Sequence, residues 1–163
     1  MKIFTPAKIN PLLYILGKRK DGFHDLYMHM VPVDLYDTIK FSQTKFKKLN
    51  FKTKGLKVFV EDEENLVVRA IRLFEKISGK NVYLNVILEK HIPSGAGLGG
   101  GSGNAAGTLR ALNHIFRESS NTEGLLSSSK LFEIALELGS DVPFFLKPSP
   151  SIVSGRGEKL VPF

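Results

Sequence analysis

The sequence PSGAGLGGGSGNAA runs from Pro93 to Ala106, and six of the nine residues from 95 to 103 are glycine. Within regular structure a glycine costs about 0.5–1 kcal/mol of backbone entropy relative to alanine, so this density requires a compensating benefit. Close approach of a ligand to bare backbone is the benefit that such a stretch indicates.

The residues on either side predict where this loop lies. Residues 82 to 88 alternate apolar side chains with others, which is typical of a strand, and helical spacing of apolar residues follows the loop. We expect Ser102 or Asn104 to be the N-cap of that helix. Backbone N–H groups between a strand and a helix start can bind a polyphosphate together with the positive end of the helix. The loop lacks the Gly-Lys-Ser/Thr ending of a P-loop, and a flexible hinge is the alternative.

The rest of the chain predicts an α+β domain, because strands outnumber helices and do not alternate regularly with them. Helical spacing predicts helices from Asn65 to Ser78 and from Lys130 to Leu138, and a polar surface loop covers 118–129. Short apolar runs between turn-forming residues predict the strands. The predicted strands are Lys2 to Thr5, Leu12 to Leu16, Leu26 to Val33, Thr38 to Phe41, Phe144 to Lys147 and Ser151 to Ser154, and the turn formers include Gly17, Asp21, Gly22 and Asp37.

Composition narrows the function classes. The chain has 163 residues and no cysteine, which excludes disulfides, thiolate metal sites and cysteine nucleophiles. No apolar run has membrane-spanning length and no signal-peptide pattern opens the chain, so we expect a soluble, cytoplasmic protein with no membrane partner.

The net charge of +7 comes from residues 1–90, which suits an anionic partner. Between Lys45 and Lys57, lysines alternate with Phe46, Leu49, Phe51 and Leu56. This pattern is found in nucleic-acid-binding strips, but also on edge strands that lysine protects from pairing with other chains.

The glycine-rich stretch resembles the phosphate-binding loop of the GHMP kinases. Two further segments, PAKINPLLYILGKRKDGFHDL (6–26) and LGSDVPFFL (138–146), are similar to signatures of the 4-diphosphocytidyl-2-C-methyl-D-erythritol kinase family within that superfamily, and DEENLVVRA (62–70) and GRGE (155–158) also look like that family. The resemblance implies the GHMP kinase N-terminal fold, shared with domain 2 of ribosomal protein S5, a mostly antiparallel sheet with helices on one face. It also implies that 1–163 is the N-terminal ATP-binding domain and that a C-terminal GHMP domain is absent.

The resemblance implies roles for individual residues. Asp141 would accept the proton of the substrate hydroxyl, and Lys8 would be its cationic partner near the γ-phosphate. Asn10 would contact the substrate's polar groups, while Phe23 and His24 would bind its cytosine. The cofactor site that it implies consists of Asn65 and Leu66 near the adenine and of the loop residues Pro93, Ser94, Gly95, Ala96, Gly97, Leu98, Gly99, Gly100, Gly101, Ser102 and Gly103.

The implied reaction is ATP-dependent phosphorylation of the 2-hydroxyl of 4-diphosphocytidyl-2-C-methyl-D-erythritol, in non-mevalonate isoprenoid synthesis, with Mg²⁺ as the metal. Two departures bear on it: Phe23 stands where the family more often has tyrosine, and Gly103 replaces a second serine, so one hydroxyl that could reach phosphate or Mg²⁺ is missing. Two other interpretations remain open: a GHMP kinase for another hydroxylated acceptor, such as homoserine or mevalonate, and a basic RNA-binding module on the same fold.

Overall fold

The computed structural model describes residues 1–18, 20, 22, 24–117, 124–155 and 157–163. The strands are β1 (Lys2–Lys18), β2 (His24–Gln43), β3 (Asn50–Gly55), β4 (Leu84–Lys90), β5 (Ser151–Gly155) and β6 (Lys159–Pro162). The helices are α1 (Leu66–Ser78), α2 (Gly100–Ile115), α3 (Ser128–Leu138) and α4 (Val142–Leu146), and a short 3-10 turn, Asp62–Glu64, precedes α1.

One sheet contains the six strands, and β2 is at its centre. β1 pairs with one edge of β2 over most of its length. The other edge pairs with β5 through Leu26–Met30 and with β4 through Thr38–Gln43, and among the described strands only the β3–β4 pair is parallel. The predicted α+β class with a mostly antiparallel sheet is therefore confirmed.

The first 43 residues form two long strands, so the prediction of four short ones is wrong. The pairing of β1 with β2 shifts register at Pro6/Ala7, between Ile9 and Leu12, and between Ile15 and Gly17. Irregularities of this kind absorb proline and glycine without ending a strand, since only the local hydrogen bonds are lost. Of the predicted turn formers, Gly17 lies within β1, Gly22 lies between the strands, and Asp21 lies outside the described residues.

The predicted strand at residues 144–147 is also wrong. These residues belong to the short helix α4 and its C-cap. Pro143 stands in the first turn of α4, where its missing N–H has no intrahelical partner to lose. Phe144 and Phe145 are both only 2% exposed. A half-buried strand would bury one of two consecutive residues, whereas this helix buries both against the core.

The core lies between the helices and one face of the sheet. Buried side chains alternate along β4 as predicted, and α1 adds a buried face that includes Ile71 and Phe74. Predicted helices 65–78 and 130–138 are confirmed as α1 and α3, which end at Gly79 and Gly139. Predicted strand 151–154 is confirmed as β5.

Two surface features bear on the partner predictions. β3 pairs only with β4, and its Lys52 and Lys54 are exposed while Phe51 and Thr53 are half-buried, which is the pattern of a protected edge strand. Of the predicted surface loop 118–129, residues 118–123 lie outside the described residues, and the prediction is wrong for Ser128 and Ser129, which belong to α3. Within the described part of the chain, no helix has the length and apolar character needed to cross a membrane.

Candidate active site

The glycine-rich loop borders a cleft of about 470 Å³. Every residue from Pro93 to Ser102 lines this cleft, whereas Gly103 is buried behind it. The same cleft is also lined by Asn65 and Leu66, which lie at the N-cap and the first position of α1. The structure therefore brings the two predicted halves of the nucleotide site to one cavity, although they are nearly 30 residues apart in sequence.

The backbone of the loop is suited to an anion. Gly95, Gly97 and Gly99 have φ values of +77°, +72° and +67°, a left-handed conformation that glycine adopts without strain. Left-handed residues at alternate positions favour a backbone whose successive N–H groups point to the same side. The N-cap of α2 is Gly99, so the prediction of Ser102 or Asn104 is wrong and the helix begins earlier. The unpaired N–H groups of its first turn add to the loop's donors.

Gly99 joins the loop to β1 and α4. The Lys8 N–H donates to the Leu98 carbonyl at 2.9 Å, which ties the loop to β1. A Cβ atom at Gly99 would lie 2.8 Å from Cζ of Phe145 and 3.0 Å from Cγ of Lys8. The loop can approach both side chains this closely only because residue 99 has no side chain.

Three polar side chains lie close together next to this contact, those of Lys8, Asn10 and Asp141. Lys8 is only 7% exposed, and its Nζ lies 3.4 Å from Oδ2 of Asp141 and 2.5 Å from Oδ1 of Asn10. The Asn10 amide also donates to the His29 carbonyl at 3.1 Å, which fixes its orientation. Asp141 occupies the N-cap position of α4, but its side chain makes no capping bond to the helix. Its carboxylate, with a third of the side chain exposed, therefore remains available to a molecule outside.

A buried ion pair, Asp37–Lys90, supports the start of the loop. Asp37 is completely buried within β2, and one of its carboxylate oxygens binds the Lys90 ammonium. The other oxygen accepts from the N–H groups of His91 and Ile92 at 2.7 and 2.8 Å. Asp37 was predicted as a turn former, which is wrong, because these three partners satisfy the carboxylate inside the sheet.

The sequence analysis missed this pair and the apolar edge of the cleft. Lys90 continues the buried face of Leu84, Val86 and Leu88 at the same alternation, so a lysine at a core-facing position was a signal for a buried partner. The edge of the cleft is lined by residues 58–60, and Phe59 is 74% exposed. In the sequence, the aromatic Phe59 two positions before the acidic stretch 61–64 was the only signal for that edge.

The model for the family "GHMP kinases N terminal domain" matches residues 65–148, which is more than half of the chain and includes the loop, the cleft wall at α1 and Asp141. The chain belongs to the GHMP kinases.

Within the GHMP kinases, two relatives that match nearly the whole chain have the same activity in their names. The 4-diphosphocytidyl-2-C-methyl-D-erythritol kinase of Sulfurihydrogenibium sp. is 44% identical over 158 residues, which are 97% of this chain and 54% of the relative. The chloroplastic 4-diphosphocytidyl-2-C-methyl-D-erythritol kinase of Arabidopsis thaliana is 42% identical and covers 97% of this chain and 40% of the relative. The chain thus spans about half the length of the curated relatives it matches.

A crystal structure of 4-(cytidine 5'-diphospho)-2C-methyl-D-erythritol kinase has the same fold as this GHMP kinase chain. The TM-score is 0.81 at 35% sequence identity, and the match covers 100% of this chain and 55% of the other. The fold predicted from the resemblance is thereby confirmed.

Not all predicted site residues of this GHMP kinase chain come together. His24 is exposed at the beginning of β2 and pairs with Lys18, while Lys8 pairs with Pro32 eight positions further on. At the rise of a strand this separation is about 25 Å, so His24 lies far from Lys8 along the hairpin. Phe23 lies outside the described residues.

Asn65 both caps α1 and lines the cleft. Its Oδ1 accepts from the Val67 N–H at 3.0 Å, which caps α1, and the residue also lines the cleft beside the half-buried Leu66. Among the described residues, no group of three or more His, Cys, Asp or Glu side chains could hold a metal ion.

Proposed function

We propose that residues 1–163 form the nucleotide-binding domain of an ATP-dependent kinase that phosphorylates the 2-hydroxyl of 4-diphosphocytidyl-2-C-methyl-D-erythritol, a step of non-mevalonate isoprenoid synthesis. The observation that carries this proposal is the contact through Gly99, which places the glycine-rich loop directly against Lys8, the partner of Asp141. A phosphate held by the loop and an ionised pair suited to activate an acceptor are thus neighbours.

The cleft supplies what ATP requires. Its volume of about 470 Å³ is within the range of about 300–1,000 Å³ that is usual for small-molecule sites. Leu66 and Phe59 give it an apolar part suited to the adenine, while the loop N–H groups and the start of α2 suit the phosphates. The phosphate chain would therefore extend along the loop toward Gly99 and Lys8.

Phosphoryl transfer depends on positioning and on stabilisation of charge, since the protein contributes little covalent chemistry. Asp141 would accept the proton of the acceptor hydroxyl, because its carboxylate makes no capping bond and is a third exposed. The Lys8 ammonium, 3.4 Å from that carboxylate, would stabilise the negative charge that develops on the transferred group. Asn10 orients the Lys8 ammonium through its 2.5 Å bond, in addition to its proposed contact with the substrate's polar groups.

The names of the two relatives support the identity of the acceptor, because both contain the same substrate. Phe23 and His24 are the residues proposed for the cytosine, and His24 is the first residue of β2. An acceptor that reaches from His24 to Asp141 would have to be extended, which suits a nucleoside diphosphate linked to a polyol.

Mg²⁺ fits the cleft as an ion shared with the nucleotide. Ser102 lines the cleft in the first turn of α2 and offers a hydroxyl, and Glu64, which precedes α1, also lines the cleft. Mg²⁺ commonly takes only one or two protein oxygens and obtains the others from phosphates and water. When bound, the ion would neutralise charge on the phosphates, while the chain itself positions them.

Calorimetry with the purified chain tests both parts of the proposal. Mg-ATP should bind with measurable heat. Cytidine diphosphate should compete with 4-diphosphocytidyl-2-C-methyl-D-erythritol for the acceptor site, whereas homoserine and mevalonate should not. In the Asp141→Asn variant, we expect Mg-ATP affinity to change by less than about threefold, because Asp141 does not line the cleft, and phosphoryl transfer to fall by at least about 100-fold. An absence of heat with Mg-ATP, or stronger competition by homoserine or mevalonate, would contradict the proposal.

A further inference from the structure

The outer face of the sheet, which is turned away from the core, carries exposed lysines at one end. Ile39 and Phe41 of β2 belong to the core, so Lys40 between them points outward. Cross-strand pairing places the outward residues of four strands in two neighbouring rows, here called the lysine rows: Lys2, Lys40, Ile87 and Lys52 in one, and Phe4, Thr38, Glu89 and Lys54 in the other. All four lysines are exposed, and Glu89 lies 3.1 Å from Lys40. The two rows therefore have a positive net charge.

Aromatic side chains occupy the other end of the outer face. Tyr27 and His29 of β2 flank the core residue Met28 and therefore point outward. Tyr14 of β1 is the cross-strand partner of Tyr27 and is 56% exposed. The His29 ring lies 6.2 Å from the Tyr27 ring and 5.2 Å from the ring of the exposed Phe163. These four residues, here called the ring cluster, form a continuous surface that solvent reaches.

The chemistry of the outer face indicates the class of its partner. A contiguous exposed patch of aromatic side chains marks an interaction site, and lysines beside it favour an anion. Single-stranded nucleic acid has both matching properties, because its bases stack on aromatic rings and its phosphates bind lysine. A second copy of the chain packed on this face would bring its own lysine rows against these, and like charges repel. The charge of the face thus favours nucleic acid over self-association.

We propose that the outer face of the sheet binds single-stranded nucleic acid, as a second function beside that of the nucleotide cleft. Bases stack on the ring cluster, while the lysine rows bind phosphates further along the same strand of nucleic acid. His29 and Lys40 are 11 positions apart along β2, which is about 35 Å at the rise of a strand. A short oligonucleotide can span this distance. Binding should tolerate different sequences, because stacking and phosphate contacts do not depend on base identity.

The outer face and the nucleotide cleft are separate sites. No member of the lysine rows or of the ring cluster lines the cleft beside the glycine-rich loop. The chain should therefore bind Mg-ATP and an oligonucleotide at the same time. This separation allows the two functions to be tested independently.

Fluorescence anisotropy with a labelled oligouridylate of about 12 nucleotides tests the lysine rows, since such surfaces occupy about 4–16 nucleotides. Affinity should fall with salt, with a logarithmic slope of about −0.7 for each phosphate bound. Lys52→Gln removes one exposed lysine of these rows and should make the slope shallower by about 0.7. Lys76→Gln is the matched control, because it changes the net charge equally at an exposed position of α1. Equal slopes in the two variants would overturn the inference.

Variants of Tyr14 test the ring cluster with the same oligouridylate. Tyr14→Ala removes a stacking surface and should weaken binding about 5- to 100-fold, whereas Tyr14→Phe keeps the ring and should retain most of the affinity. Leu13→Ala is the control on the opposite side of β1, since Leu13 is 50% exposed and pairs with the core residue Met28. It should leave oligouridylate affinity unchanged. An equal loss in Tyr14→Ala and Leu13→Ala, or no loss in Tyr14→Ala, would contradict the role of the rings.

Three further measurements with the unchanged chain separate this inference from its alternatives. Saturating Mg-ATP should leave the oligouridylate bound, and its displacement would mean that the phosphates enter the nucleotide cleft, which would overturn the inference. Sedimentation should show a monomer, whereas a dimer that excludes the oligouridylate would assign the outer face to a second copy. Oligodeoxythymidylate of the same length distinguishes DNA from RNA as the ligand, and binding of neither would refute the inference. Oligonucleotide binding without any Mg-ATP binding would instead refute the proposed function alone.

Discussion

Replacing Gly99 with alanine probes the contact between the glycine-rich loop and the Lys8–Asp141 pair. An alanine at φ +67° costs about 1–2 kcal/mol because its Cβ approaches the following carbonyl. The same Cβ would lie 2.8 Å from the ring of Phe145, which is 2% exposed and packs edge-on against Phe144. Since the ring has no space to move into, overpacking should add about 1–3 kcal/mol. We therefore expect Gly99→Ala to lower the free energy of unfolding by about 2–5 kcal/mol.

Gly97→Ala provides the control for the backbone term. Gly97 has a similar φ of +72°, but a Cβ there would meet no atom within 4 Å. Its cost should be the conformational part alone, about 1–2 kcal/mol. Urea unfolding followed by circular dichroism measures both variants, which suits a chain without tryptophan. If the two variants lose the same stability, the Gly99 contact does not constrain the loop and the reasoning is refuted.

Three further changes test other parts of the account by urea unfolding. Lys90→Met leaves the buried Asp37 carboxylate without its cation and should cost about 3–5 kcal/mol; a loss below about 1 kcal/mol would contradict the importance of the pair. Asn113→Ala removes both amide bonds to Leu126 and should cost about 1–3 kcal/mol and speed hydrogen exchange at the Leu126 N–H, so unchanged exchange would count against it. Gly107→Ala would place a Cβ 2.4 Å from β1 and should cost about 1–3 kcal/mol, whereas wild-type stability would show that α2 and β1 can separate.

The parts of the fold that depend on local sequence were predicted correctly. Helix α1 follows from apolar spacing, an N-capping Asn65 and a terminating Gly79, all within 15 residues. β4 and α2 lie on either side of the loop as the alternation and the helical spacing indicated, although α2 begins earlier than predicted. These features need no distant partner, so periodicity and capping residues are sufficient to find them.

The errors concern residues whose conformation is determined by distant contacts. Asp37 is typical of a turn in isolation, but its partner Lys90 follows 53 positions later and keeps it inside the sheet. Phe144 and Phe145 are residue types that favour strands. The surrounding core favours a helix here, because a helix buries both side chains. Periodicity alone contains no information about such partners.

In the candidate site, too, sequence reasoning found local features and missed those that depend on distant contacts. The loop was located from its glycines, and Lys8, Asn10 and Asp141 from the family resemblance, but no spacing rule brings β1 next to α4. Phe59 and Lys90 were missed, because their importance depends on a cleft formed by three separate segments. The roles of all these residues in binding and catalysis are predictions that the experiments above address.

NMR titration of the isotopically labelled chain with Mg-ATP tests most directly whether the glycine-rich loop holds the phosphates. Amide signals of residues 94–103 and of the start of α2 should shift and saturate together, and those of Lys8 should follow through its bond to Leu98. Omitting the phosphates, with adenosine as ligand, should leave the loop signals close to their free positions. Loop signals that stay unchanged at saturating Mg-ATP, or shifts confined to the sheet edge at β3, would contradict the account.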